Sequence, residues 1–119
     1  MEQLLAHLIG DYGFQTTKMA VEKSRSWKWA IIHVITYTIP FVFLTRNLLA
    51  LGIIFSTHLI IDRFSLAKYL LRLKGAPENG TYTYPDGLSV PCYIGNLFLV
   101  YAVTDNMFHL LINYLALKL

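Results

Sequence analysis

Three features of this 119-residue chain point to an all-α fold, a four-helix integral membrane bundle. Hydrophobic residues make up 55% and charged ones only 14%, with mean hydropathy +0.49; a quarter charged is usual for soluble domains. A chain this apolar collapses or inserts, which excludes disorder. Four apolar stretches account for most of the length, and a membrane helix needs about 20 predominantly apolar residues. The third feature is the missing polar face. The run WAIIHVITYTIPFVFL (29–44) is apolar nearly all round, and such a helix is buried or in lipid. That decides against a soluble bundle. The length allows one domain, residues 1–119.

The first stretch, Glu2 to Phe14, continues helically toward Met19 and is already polar at His7 and Asp11. The second, Trp29 to Thr45, carries no formal charge but holds His33 and Pro40. The third runs from Asn47 to Ile61 and on through Asp62 toward Leu73. The fourth runs from Pro91 to Leu117, interrupted only by Asp105 and His109. Between helices 3 and 4 lies a polar connection, Gly75 to Pro91, in which TYTYPDGLSV reads as a hairpin turning at Pro85-Asp86-Gly87. It serves as a linker or as a lid.

Basic residues set an orientation. Lys18, Lys23, Arg25 and Lys28 fill the first connection, and Lys68, Arg72 and Lys74 mark the end of the third stretch. The second connection has only Arg46 and the C-terminus only Lys118. By the positive-inside rule the first and third connections are cytoplasmic and both termini face out. Trp27, Trp29, Tyr82 and Tyr84 are expected at the interface. Lys18 and Lys23 are expected to meet phospholipid headgroups or an anionic substrate. Glu2 stands where a signal peptide would be basic, so no cleavable signal is expected. The single Cys92 rules out an internal disulfide and a Cys-rich zinc module. The net charge of +3 is spread along the chain, so no nucleic-acid partner is expected.

The chemistry lies in the histidines. There are four, His7, His33, His58 and His109, one in each apolar stretch. Three have an aspartate four residues away: His7 with Asp11, His58 with Asp62, and His109 with Asp105. Residues four apart share a helix face, so three helices each present a His/Asp pair, and the second presents His33 with Tyr37. With four aspartates in the chain, three such hits fall by chance on the order of once in a thousand. Energy argues the same way, because an aspartate near mid-bilayer costs about 2.5 to 3.5 kcal/mol and needs a partner inside the bundle. At about 1.5 Å per residue, Asp11, His33 and Asp62 fall roughly 8 to 11 Å from the cytoplasmic ends. His7, His58 and Asp105 fall at about 15 to 17 Å, and His109, at about 22 Å, fits least well. Gln15 and Asn113 extend two of these faces, as hydrogen-bond partners of the ligands or as packing glue.

Imidazole and carboxylate together suit zinc first, with manganese or iron as alternatives. The expected metal ligands are His7, Asp11, His33, His58, Asp62, Asp105 and His109. Seven exceed one tetrahedral site, which leaves two metals or one metal with aspartates orienting the histidines. An open coordination position would activate water for hydrolysis, with His33 and Asp62 as the catalytic pair and His33 a general base or fourth nitrogen ligand. The same residue types build proton or metal-ion transport pathways, and a purely structural pairing is the third reading. No GxSxG, P-loop or HExxH motif competes.

The ordered runs HLIGDYGFQTTKM, His33 with Tyr37, THLIIDRF and DNMFH give the chain a family likeness. It resembles, over nearly its whole length, the small integral membrane proteins of bacteria and phages grouped as domain of unknown function 3307. It is similar, more weakly, to membrane-bound metal-dependent hydrolases with His and Asp on apolar helices. The resemblance implies a helical protein in the bacterial inner membrane, with the lipid bilayer as its surroundings, and supplies no activity. Substrate and oligomeric state stay open.

Overall fold

A computed structural model describes residues 1–75, 81–83, 85–91 and 96–119, with only the backbone described at 82, 90, 91 and 96–98. The described chain is helical, with one small ribbon. Helix α1 (Glu2–Leu8) runs into a π-helical turn (Ile9–Gly13), followed by α2 (Thr17–Glu22), α3 (Trp27–Val42), α4 (Leu48–Phe64), α5 (Leu66–Leu73) and α6 (Asn96–Ala116). Strands β1 (Thr81–Thr83) and β2 (Ser89–Pro91) pair antiparallel, Thr81 opposite Pro91 and Thr83 opposite Ser89. This is the hairpin expected in the polar connection. Gly87 turns it at φ +89°, and Asp86 Oδ1 accepts a hydrogen bond from the Leu88 amide at 3.1 Å. Tyr84 and Cys92 lie outside the described residues.

Two of the four expected helices are divided, and both breaks have local causes. The first stretch stops at Phe14 because Thr16 is extended (φ −79°, ψ 159°) and its hydroxyl caps the new helix α2 through the Met19 amide at 3.3 Å. The third stretch stops at Ser65, which takes the left-handed conformation at φ +50°. That residue bends α5 away from α4 by 58°. At the other end of α4, Asn47 caps the helix by accepting from the amides of Leu49 and Ala50.

The core is a set of helix stripes. Ala30, His33, Val34, Tyr37 and Phe41 on α3 recur at three- and four-residue spacing and are fully buried. Ala50, Ile54, His58, Ile61 and Asp62 do the same on α4. Gly10 lets the π turn lie against α3: a Cβ there would sit 2.7 Å from Tyr37 Cδ2 and 3.0 Å from the Tyr37 carbonyl. No other residue fits this approach unchanged.

The outside of the molecule is the apolar part. Phe43 is 86% exposed and Leu48 83%, and further large hydrophobic side chains on α1, α3, α4 and α6 face outward. The buried set meanwhile includes four histidines, Asp62, Thr104 and Asn113. Among the described residues no single helix is long and apolar enough to cross a membrane; α4 and α5 together pass by length and composition across their bend. The sixteen residues of α3 extend about 24 Å, short of a hydrocarbon core about 30 Å thick.

Candidate metal centre

Each side chain of the centre is set by its own element. Asp11 stands in the π turn, where the wider helix and the bare Gly10 carry its carboxylate to α3. His33 comes from the buried stripe of α3, His58 and Asp62 from successive turns of α4, and His109 from α6. All three four-residue pairs are in contact: His7 Nδ1 to Asp11 Oδ2 at 3.5 Å, His58 Nε2 to Asp62 Oδ2 at 3.1 Å, and His109 Nε2 to Asp105 Oδ2 at 3.6 Å.

Four residues converge more tightly. His33 Nε2 lies 3.1 Å from His58 Nε2, 3.0 Å from Asp62 Oδ2 and 3.2 Å from Asp11 Oδ1. His58 Nε2 lies 3.4 Å from Asp11 Oδ1. His109 Nε2 approaches Asp62 Oδ1 at 3.4 Å. Two overlapping triads result, Asp11–His33–His58 and His58–Asp62–His109, each close enough to hold an ion. Two ligands each about 2.0 to 2.2 Å from one zinc lie about 2.8 to 3.6 Å apart for angles between 90° and tetrahedral. The observed separations fall inside that range. Asp62 Oδ2 is met by the Lys23 ammonium at 2.8 Å, whereas among the described residues Asp11 Oδ1 and His109 Nε2 are buried without a partner of hydrogen-bond geometry. Polar atoms in that condition cost stability unless something satisfies them, and a divalent cation fits these donors.

The triads share His58, and its contacts to both carboxylates are made by Nε2. An imidazole nitrogen has one lone pair. The two triads therefore meet at this one ring.

His7 stands beside the centre and not in it. Asn106 Nδ2 donates to the Ala102 carbonyl and the Tyr12 hydroxyl, which leaves its Oδ1 to accept from His7 Nε2 at 2.6 Å. His7 Nδ1 then accepts from the Tyr37 hydroxyl at 2.9 Å, and Asn113 Nδ2 donates to that hydroxyl at 2.7 Å. This network fixes Tyr37, whose ring stacks on His58 with centroids 3.5 Å apart. Asp105 is also peripheral: among the described residues its ion-pair contact is His109. Gln15 accepts from Lys23 Nζ at 3.3 Å and does not reach the triads.

Sequence reasoning missed two partners. Asn106 was legible in principle, since Asn106, His109 and Asn113 share one stripe of α6 at spacings of three and four. Lys23 had no such signal. Its ammonium lies 2.8 Å from Asp62 Oδ2, brought there by the turn that follows α2. Burial works against this charge, but the carboxylates of Asp62 and Asp11 outweigh it and hold the Lys23 pKa above the ordinary lysine value. At the same end of the molecule Lys18 lies 4.9 Å from the Trp29 ring and the Arg63 guanidinium 4.9 Å from the Trp27 ring. Cations and indoles thus pair at this end of the molecule.

The fold and site define a helical protein with a buried His/Asp cluster able to hold a metal ion. The chain belongs to the family described as "Protein of unknown function (DUF3307)", whose model matches residues 1–116. No curated protein and no solved structure matches it.

Proposed function

We propose that this protein is a membrane-embedded metal-dependent hydrolase with one divalent ion, zinc first and manganese or iron next, held by His33, His58, Asp11 and Asp62. One observation carries the reading: the Nε2 atoms of His33 and His58 meet carboxylate oxygens of Asp11 and Asp62 at 3.0 to 3.4 Å in a buried site. An ion there would supply an activated water. His109 Nε2, 3.4 Å from Asp62 Oδ1, is an alternative ligand from the second triad. With Nε2 on the ion, His33 takes the role of nitrogen ligand rather than general base.

Hydrolysis is favoured over transport by access. A cavity of about 320 Å³ reaches the Asp62 carboxylate from one side. On the far side Ala6, Tyr37, Phe41, Ile54 and Ala116 pack into a closed apolar cluster. A transporter has to open its site to both sides, whereas a hydrolase needs one mouth. The membrane setting is supported by the exposed apolar exterior around buried polar groups.

The test is elemental analysis of detergent-purified protein beside a His58→Ala/Asp62→Ala variant. About one zinc, manganese or iron per chain, absent in the variant, is the expected result. Metal-free protein, after purification without chelators and after add-back, would refute the reading.

A further inference from the structure

The mouth of the centre has its own chemistry. The cavity of about 320 Å³ is lined by Lys23, Ser24, Arg25, Lys68 and Tyr101, with the Asp62 carboxylate in its wall. Three helical segments meet here, the end of α2, the α4–α5 bend and α6. Lys23 is neutralised by Asp62 at 2.8 Å. Arg25 and Lys68 are exposed, and among the described residues neither has an acidic partner. Arg25 and Lys68 thus bring two positive charges to the outer rim, with the carboxylates of Asp62, Asp11 and Asp105 set behind Lys23, and a phosphate dianion would match the two rim cations. Arginine offers a planar fork for phosphate oxygens and lysine a point charge, and the hydroxyls of Ser24 and Tyr101 add donors.

We infer that this mouth binds the phosphate group of the substrate, with Arg25 and Lys68 as its anchors and Lys23 between the phosphate and Asp62. This deepens the hydrolase reading and rests on it for the reaction, but the binding itself is separable. Lys23 is essential to the arrangement, because without its ammonium the Asp62 carboxylate would repel the incoming anion. The shared chemistry is a phosphate monoester, whether on a lipid headgroup or on a soluble metabolite.

The experiment is calorimetric titration of inorganic phosphate into the full chain in detergent, with metal content measured on the same samples. Wild type is compared with Arg25→Ala/Lys68→Ala and with the charge-keeping Arg25→Lys/Lys68→Arg. Expected is a loss of phosphate affinity of about tenfold or more in the alanine variant, recovery in the charge-keeping one, and unchanged metal content in both. Equal affinity in wild type and alanine variant, or no phosphate binding by wild type, overturns the inference. A metal-free wild type that still loses phosphate in the alanine variant sinks the metal reading and keeps the phosphate mouth. Competition assigns the source: displacement by phosphatidic acid in mixed micelles marks a lipid headgroup, and displacement by glycerol phosphate marks a soluble ester. Failure of both competitors overturns the inference as well.

Discussion

The two ends of the bundle are built from the same helices and filled in opposite ways. At one end α1, α3, α4 and α6 bring Ala6, Tyr37, Phe41, Ile54 and Ala116 into an apolar cluster. About one to two turns away along α3 and α4, the same stripes carry His33, His58 and Asp62. Tyr37 joins the halves, with its ring against Phe41 at 5.2 Å and stacked on His58 at 3.5 Å. The apolar end needs nothing further, since its side chains satisfy one another by packing. At the polar end Asp62 Oδ2 is met by Lys23 at 2.8 Å, while among the described residues Asp11 Oδ1 and His109 Nε2 are buried without a partner of hydrogen-bond geometry. The apolar end packs beside this cluster and holds its helices in place.

Substitutions at the two ends are therefore expected to have different signatures. Phe41→Ala removes the largest wholly apolar side chain of the apolar end. It is expected to cost about 3 to 5 kcal/mol, with metal content unchanged. Thermal unfolding in detergent with parallel elemental analysis checks both parts. Gly10→Ala acts on both ends. Its new Cβ meets Tyr37, so a loss of about 1 to 3 kcal/mol should come with weaker metal binding as Asp11 is pushed from His33. Tyr37→Phe leaves His7 Nδ1 and Asn113 Nδ2 without the hydroxyl they share. Metal affinity is expected to drop about 10- to 100-fold, as for other groups that orient ligands, read by competition with a chromophoric chelator. The smallest effect is at Asn47→Ala, which removes a cap distant from both ends. About 1 kcal/mol of stability is expected to go, with phosphate and metal binding untouched. A Phe41→Ala protein that lost its metal while Tyr37→Phe kept it would erase the distinction between the ends.

Much of the candidate site was legible because helical period alone controls it. His58 with Asp62 and His109 with Asp105 are four apart within regular helices, and period brings each pair together wherever the helices end. His7 with Asp11 has the same spacing, and the pair meets although Asp11 lies in a π turn. Depth was less legible. His109 was expected too deep for the others, yet its Nε2 lies 3.4 Å from Asp62. The count started from guessed ends, whereas α4 stops at Phe64 and α6 starts at Asn96. The breaks at Thr16 and Ser65 depend on single-residue conformations that apolar patterning does not encode. Lys23 reaches Asp62 only because α2 folds back after the first break, so a charge assigned to a loop became part of the centre. His7 was expected as a ligand on the strength of its residue type. Only the hydrogen-bond arrangement with Asn106 and Tyr37 moves it behind the centre.

The most direct test of the central claim is zinc-edge X-ray absorption on the zinc-loaded protein, beside a His33→Ala variant. The account predicts a nitrogen and oxygen shell at about 2.0 to 2.1 Å, with imidazole scattering that diminishes in the variant and no sulfur. A sulfur shell, or imidazole scattering unchanged by the loss of His33, would contradict it.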